Sequence, residues 1–251
     1  MAVSIDKSWK VAWITGASTG IGREIALQLA AAGVKVAVSA RSAEKLQNMG
    51  ENIFAFPLDV TNAEAAVATV QKIEQELGPI DLTVFAASTY SEVAATQIDA
   101  AMFAATMTTN YLGTVNCLAA VLPKMLARKQ GHISWIASVT GYRGLPKAAA
   151  YGPTKAALIS LAESLKPELD QHGISISVIN PGFVETPMTA KNDFPMPFLM
   201  QPKDAAARTL AGLAKGKFEI TYPTPLVTIL KFTRLLPYAL YFWLIKKFIL
   251  R

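Results

Sequence analysis

Short apolar runs rich in β-forming residues alternate with longer helical patterns along most of the chain. Alternation at this spacing predicts an α/β fold, in which a parallel sheet is covered by helices on both faces. No repeat or linker breaks the series before about residue 222, so we predict one domain over residues 1–223, with a doubly wound sheet in three layers. The predicted strands are 11–14, 34–40, 53–57, 82–86, 132–137, 174–179 and 218–221, and the predicted helices are 21–32, 43–49, 63–77, 99–129, 151–172 and 205–215.

The composition excludes several classes of protein. With 52% hydrophobic and 17% charged residues among 251, the chain has enough apolar content for a large core and is not disordered. Its single cysteine, Cys117, excludes a disulfide framework and a cysteine zinc site. His132 and His172 are too far apart in the sequence to suggest a histidine cluster, so no metal site is predicted.

The distribution of apolar and charged residues bears on location and partners. No apolar stretch is long enough for an ordinary transmembrane helix, and the first residues lack the apolar region of a secretory signal. The expected compartment is therefore the cytoplasm or the cytoplasmic face of a membrane. Of the net charge of +6, residues 1–223 carry about +1, because Lys231, Arg234, Lys246, Lys247 and Arg251 lie beyond them without an acid. The body has no basic stripe with interleaved aromatics, so nucleic-acid binding is not predicted.

Residues 15–22 read TGASTGIG and lie between the first predicted strand and the first helix. Glycines at such a turn let the backbone approach a pyrophosphate at a helix N-terminus. The glycine pattern alone leaves an ordinary strand–helix turn as an alternative. The three glycines follow the spacing GxxxGxG, which also differs from the GxGxxG dinucleotide fingerprint.

Tyr151 and Lys155 are four residues apart on a predicted helix and therefore share one face. An unperturbed tyrosine titrates near pH 10, and a neighbouring ammonium lowers that pKa by favouring the phenolate. By itself, a YxxxK pattern is usually an accident of a helix surface. Here Ser138 closes the strand before it, and Asn110 lies in the long predicted helix, where it would otherwise be taken as a buried structural amide.

Together these motifs, in this order, resemble the short-chain dehydrogenase/reductase family over roughly residues 8–222. The resemblance implies a Rossmann-like fold and an NAD(P)-dependent oxidoreductase. Tyr151 is then the acid/base, Lys155 lowers the pKa of that tyrosine and holds the nicotinamide ribose, Ser138 orients the substrate oxygen, and Asn110 supports a proton relay through water. The implied cofactor contacts are Gly16, Ser18, Thr19, Gly20, Ile21, Gly22, Arg41, Asp59, Val60, Asn110, Tyr151, Lys155, Pro181, Gly182, Val184 and Thr186.

The second strand ends in Ala40-Arg41, where NAD-dependent members of the family often have an acid in place of Ala40. The guanidinium of Arg41 suits a 2′-phosphate, and Arg23 offers a second charge, so NADP(H) is predicted over NAD(H). Both arginines are alternatively solvated surface residues. Asp59 is alternatively a helix cap beside Thr61, which is compatible with an adenine contact.

One segment departs from the family pattern: Phe85-Ala86-Ala87-Ser88 stands where Asn-Asn-Ala-Gly is usual. The change removes side-chain hydrogen bonds near the cofactor and adds a Cβ at Ser88. It therefore puts the pose and affinity of the cofactor in question.

Residues 185–202 form the predicted substrate loop, which is rich in methionine and phenylalanine and contains no basic cluster. Such a loop suits an irregular apolar ligand, so a fatty-acyl, retinoid or steroid-like alcohol or carbonyl is predicted. Simple packing of the loop on the core is the alternative. The rival functions are a 3-oxoacyl carrier-protein reductase, a non-catalytic NADP(H)-binding sensor or scaffold, and a membrane adaptor that uses only the tail.

The C-terminal segment 224–251 is apolar, aromatic and basic, and Pro237 is expected to kink or divide it. Aromatic residues beside Lys246 and Lys247 predict peripheral contact with a membrane. The alternatives are burial in an oligomer interface and a position across the substrate mouth. A homodimer or homotetramer is expected.

Overall fold

The computed structural model describes residues 5–250, and in this range one parallel sheet forms the centre of the protein. Its seven strands stand in the order β3-β2-β1-β4-β5-β6-β7. The strands other than the edge strand β3 are mostly buried, which explains their continuous apolar sequences. They are β1 (Val11–Thr15), β2 (Lys35–Ser39), β3 (Ile53–Ala55), β4 (Leu82–Phe85), β5 (Gly131–Ile136), β6 (Ile174–Pro181) and β7 (Glu219–Tyr222).

Helices cover both faces of the sheet, which confirms the predicted three-layer, Rossmann-like α/β fold. Helices α1 and α6 pack on one face, and α2, α4 and α5 pack on the other. The helices are α1 (Gly20–Ala31), α2 (Ala63–Leu77), α3 (Ala100–Met107), α4 (Gly113–Arg128), α5 (Tyr151–Gln171), α6 (Pro202–Leu213), α7 (Thr224–Thr233) and α8 (Tyr238–Phe248). Asp99 caps α3, as the sequence predicts, and α2 is capped by Asn62, which the sequence reasoning did not single out.

Two predicted helices differ from those observed. The long helix predicted over 99–129 is interrupted by a π-helical turn, Thr108–Leu112, which separates α3 from α4. The turn includes Asn110, whose carbonyl accepts a hydrogen bond from the hydroxyl of Thr114 in α4. The helix predicted over 43–49 is only a 3₁₀ turn at Glu44–Leu46, because Gln47 is already extended and Asn48 then adopts a left-handed φ of 54°.

The C-terminal segment forms the separate helices α7 and α8, and Pro237 stands immediately before α8. Pro237 therefore divides the segment, as its lack of an N–H predicts. Neither helix is long enough, at its hydropathy, to cross a bilayer, and the same holds for every other helix among residues 5–250.

Candidate active site

The predicted functional residues lie where strands leave the carboxyl edge of the sheet. The glycine loop follows β1, Ser138 follows β5, and Pro181-Gly182 end β6. Since all the strands are parallel, these segments meet along one edge. The strand order reverses between β1 and β4, which is the place where sheets of this kind bind ligands.

The glycines of the loop after β1 stand where neighbouring atoms leave no room for a side chain. Gly16 has a φ of +65°, and a Cβ there would lie 2.5 Å from the Ala87 nitrogen. A Cβ on Gly22 would lie 2.7 Å from the Gly16 oxygen, and one on Gly20 would lie 2.9 Å from Thr186 Cγ2. The loop therefore folds tightly on itself and against the segments that follow β4 and β6.

The N-terminus of α1 is free to accept an anion. Thr19 precedes the helix but makes no side-chain cap, and the first turn contains no acidic residue. Ser18, Thr19 and Ile21 all keep exposed surface. First-turn amides without protein partners, beside a glycine loop that a Cβ would fill, fit the pyrophosphate of a dinucleotide.

Tyr151, Ser138 and Lys155 come together at the start of α5. Ser138 is buried, and its hydroxyl accepts a hydrogen bond from the Thr140 amide at 3.2 Å. The Lys155 side chain is buried, donates to the Ile136 carbonyl at 2.9 Å, and lies 5.2 Å from the centre of the Tyr151 ring. The three side chains predicted to be catalytic thus converge at the end of β5.

The electrostatics differ from the simple expectation that Lys155 lowers the pKa of Tyr151. The pKa of the Tyr151 phenol is raised, chiefly by burial and to a lesser extent by Tyr90. The Ser138 and Ser88 hydroxyls oppose this rise. Burial also lowers the pKa of Lys155 to about 7. Burial therefore keeps Tyr151 in its protonated form, which is the form that can donate a proton.

Asn110 is fully buried, and its side chain is fully used. Its Oδ1 accepts from the Thr89 amide at 2.7 Å, and its Nδ2 donates to the Thr89 carbonyl at 3.0 Å and to Thr154 Oγ1 at 3.2 Å. Asn110 therefore ties the segment after β4 to the first turn of α5. The water relay stays a prediction; the main-chain carbonyl of Asn110 accepts a hydrogen bond from the Thr114 hydroxyl at 2.9 Å.

The ends of β2 and β3 hold the residues predicted to contact the adenosine. Arg41 is exposed, and its charge helps to lower the pKa of Asp59, after the larger effect of the Thr61 amide and hydroxyl that donate to that carboxylate. Asp59 does not cap α2, since Asn62 does so, and this corrects the alternative considered for it. The Val60 carbonyl accepts from Asn116 Nδ2 at 2.9 Å, which fixes the backbone there.

The segment after β6 faces the glycine loop. The Gly182 amide donates to the Tyr222 carbonyl at 2.7 Å, and Val184 is buried. The Thr186 amide donates to Thr189 Oγ1 at 3.0 Å, and its methyl group is the nearest atom to a Cβ on Gly20. Of the predicted cofactor contacts, Pro181, Gly182, Val184 and Thr186 thus share this edge with Gly16, Gly20 and Gly22.

The comparison with known proteins decides the family. The profile of the short chain dehydrogenase family matches residues 10–195, which span the glycine loop and the tyrosine–lysine pair. This chain belongs to the short-chain dehydrogenase family. It is an NAD(P)-dependent short-chain dehydrogenase/reductase, as the motifs predict.

Relatives and a solved structure align with this chain over most of its length. An uncharacterized oxidoreductase of Myxococcus xanthus is 36% identical over 243 residues, covering 94% of this chain and 96% of its own. An uncharacterized oxidoreductase of Staphylococcus saprophyticus is 35% identical over 212 residues, which are 81% of this chain and 91% of that protein. The crystal structure of a short-chain dehydrogenase from Streptomyces avermitilis superimposes with a TM-score of 0.83 at 25% identity, covering 95% and 96%.

Within this short-chain dehydrogenase, apolar packing and backbone bonds occupy the place of the missing asparagines. Phe85 packs edge-on against Trp13, with ring centres 5.4 Å apart. The Ala86 amide donates to the Thr15 carbonyl at 3.2 Å, and the Ala87 amide donates to the Thr15 hydroxyl at 3.4 Å. The segment after β4 is therefore held against β1 without the usual side chains.

Ser88, Tyr90 and Lys147 make contacts around the short-chain dehydrogenase site that the sequence did not predict. The Ser88 hydroxyl is buried without a regular hydrogen bond and lowers the pKa of Tyr151, and the Tyr90 ring meets that of Tyr151 edge-on at 5.2 Å. Lys147 pairs with Glu92 at 3.3 Å and Asp193 at 2.7 Å, which links the segments on the substrate side. No local signal marks Lys147, because its partners are distant in the sequence.

Proposed function

We propose that this protein is an NADP(H)-dependent reductase or dehydrogenase that interconverts a carbonyl and a secondary alcohol on a hydrophobic substrate. The observation that supports the proposal is the convergence of Tyr151, Ser138 and Lys155 beside the glycine loop. The loop residues would hold the pyrophosphate, and Lys155 would hold the ribose. When bound, the nicotinamide supplies a hydride in reduction or accepts one in oxidation.

The proposed roles follow from the groups available at the site. In reduction the Ser138 hydroxyl donates a hydrogen bond to the substrate oxygen, and Tyr151 transfers its phenolic proton to that oxygen as hydride reaches the carbonyl carbon. The carbonyl gains one hydride and one proton and becomes an alcohol, while Tyr151 is left as phenolate. The Lys155 ammonium then stabilises this phenolate, because a negative charge beside it raises the pKa of the lysine again.

The preference for NADP(H) rests on charge at the end of β2. Arg41 is exposed at this edge, Ala40 leaves no carboxylate to repel a phosphate, and Arg23 forms only a loose contact of 3.9 Å with Glu24. An exposed guanidinium can form charge-assisted, bidentate hydrogen bonds with a 2′-phosphate.

Replacing Arg41 with alanine should raise the KM for NADPH about tenfold or more and leave that for NADH within about twofold, since only NADPH carries the 2′-phosphate. Steady-state kinetics with both cofactors measure the two values. Lys35→Ala is the matched control, because Lys35 is exposed at the opposite, amino end of β2. Equal changes for the two cofactors would contradict the preference.

The substrate class rests on the apolar side chains near the predicted acid. Tyr90 contacts Tyr151, and Phe194 meets Phe183 with ring centres 6.0 Å apart. Phe198 and Leu199 in the substrate loop are 52% and 43% exposed, so they are available to an apolar ligand. An apolar surface with few polar groups is typical of sites for lipid-like molecules.

The test is an NADPH-consumption screen across carbonyl compounds of increasing chain length. We expect kcat/KM to rise with each added methylene until the apolar surface is covered, by roughly threefold per buried group. Turnover of small polar ketones or sugars alone would overturn the hydrophobic substrate. A requirement for a carrier-protein thioester would favour the 3-oxoacyl reductase, and nucleotide binding without any turnover would favour a sensor.

A further inference from the structure

The helices α7 and α8 are fixed to the body by one face of each. Val227 is buried against the core, and the Tyr241 hydroxyl donates to the Gly144 carbonyl. Arg143 donates to the Leu236 carbonyl at 3.0 Å, and its guanidinium carbon lies 3.9 Å from the centre of the Tyr241 ring. The segment therefore has a defined inward face, and its outward face is presented rigidly.

The outward face is strongly apolar. Between residues 229 and 250 there are more exposed large hydrophobic side chains than in all the rest of the described chain. Soluble proteins rarely leave so many together without a partner, because each costs free energy in water. The exposed side chains of this face are Ile229, Phe232 and Leu235 on the α7 side, and Phe242, Trp243 and Phe248 on α8. Phe232 and Leu235 also line an open pocket between the tail and Ile159, Glu163 and Phe218 of the body.

Positive charge accompanies this apolar face. Lys246 and Lys247 are exposed near the end of α8, and the Lys247 ammonium lies 4.7 Å from the centre of the Trp243 ring. Arg234 is also exposed, whereas Lys231 is neutralised by an ion pair with Glu219. The sequence contains no acid from residue 224 to its end, so the segment has no negative group with which these cations can pair internally.

The surface begins beside the candidate active site. A Cβ on Gly182 would lie 2.7 Å from Leu226 Cδ2, and Gly144, which holds Tyr241, belongs to the loop that leads from Ser138 to α5. The apolar face of the tail is thus attached to the same edge of the sheet at which the predicted substrate binds.

We propose that the outward face of α7 and α8 docks on a bilayer that contains anionic lipids. The apolar and aromatic side chains enter the interface, while Arg234, Lys246 and Lys247 contact acidic headgroups. With 11 residues, α8 is about 16 Å long, about half of the ~30 Å hydrocarbon core, so it lies along the surface and does not span it. A second copy of the chain fits less well, because a symmetric contact of α8 with α8 brings Lys246 and Lys247 of both copies together.

Vesicle flotation tests this proposal with the full-length protein. We expect binding to phosphatidylcholine vesicles that contain phosphatidylglycerol, and at least about fivefold weaker binding to pure phosphatidylcholine. The double variant Phe232→Ser/Trp243→Ser should bind the anionic vesicles about tenfold more weakly or worse. Lys246→Gln/Lys247→Gln should lose about fivefold per lysine on anionic vesicles and little on neutral ones.

The matched control is Phe54→Ser/Val67→Ser, which removes exposed apolar side chains from the body and should leave vesicle binding unchanged. Circular dichroism and NADPH binding verify that each variant is folded. Wild-type protein that binds neither kind of vesicle at low salt would overturn the proposal. Equal binding by wild type and the Phe232→Ser/Trp243→Ser variant would also overturn it. So would a dimer, seen by sedimentation, that this variant dissociates while vesicle binding is absent.

Discussion

Replacing Tyr151 with phenylalanine should reduce kcat for carbonyl reduction by about 10²–10⁴-fold, because the phenolic proton that is transferred to the substrate oxygen is lost while the ring remains. Affinity for NADPH should change by no more than about threefold, since the ring is retained and can keep its edge-on contact with Tyr90. Turnover with the best substrate of the chain-length screen measures the first value, and fluorescence titration of NADPH measures the second.

Tyr142→Phe is the matched control for this prediction. Tyr142 is also a buried tyrosine whose pKa is raised by burial, but its hydroxyl donates to Glu219 and lies outside the candidate site. Its loss should lower stability slightly and leave kcat nearly unchanged. If Tyr151→Phe kept more than about a tenth of the activity, or if Tyr142→Phe lost as much, Tyr151 would not be the acid/base.

Replacing Gly16 with alanine should lower the free energy of unfolding by about 2–5 kcal/mol and weaken NADPH binding at least about tenfold. A left-handed φ costs an L-residue about 1–2 kcal/mol, and overpacking adds about 1–3 kcal/mol. The overpacking arises because the new Cβ would lie 2.5 Å from the Ala87 nitrogen and 2.6 Å from the Ala86 carbonyl carbon. Urea denaturation and calorimetric titration with NADPH measure the two effects.

The variant Gly33→Ala separates the effect of backbone strain on stability from the effect of overpacking. Gly33 has a φ of +86°, yet nothing lies within 4 Å of a Cβ there, so it suffers the backbone strain without the collision. We expect a loss of about 1–2 kcal/mol and unchanged affinity for NADPH. The close approach of the glycine loop to the segment after β4 would be refuted if both variants lost the same stability.

Much of the fold could be predicted because its causes are local. Most of the buried parallel strands carry continuous apolar runs, Asp99 is an ordinary helix cap, and Pro237 stands between α7 and α8 as expected for a residue without an N–H. The π-helical turn at Thr108–Leu112 could not be predicted, since helical periodicity continues through it and its Asn110 side chain is held by Thr89 and Thr154, which are distant in the sequence.

The candidate site likewise has parts that the sequence predicts and parts that it does not. The tyrosine–lysine pair and the glycine loop are visible as spacings, because each lies within one element. The contacts that position them are not visible: Asn110 is bonded to Thr89, and Trp13 packs on Phe85, across elements that only the assembled sheet brings together. The sequence therefore revealed that two asparagines were replaced, but not that backbone bonds and aromatic packing take up their place.

By itself the sequence determined the order of strands and helices, the glycine loop, and the Tyr151–Lys155 pair, because each depends on residues near one another in the chain. Only the tertiary structure decided the charge state and exposure of these groups. Burial lowers the pKa of Lys155 to about 7 and raises that of Tyr151, opposing the lowering expected from the pair alone. Packing on the body likewise decided which face of α7 and α8 is left to water, since burial depends on what surrounds a side chain and not on its neighbours in sequence.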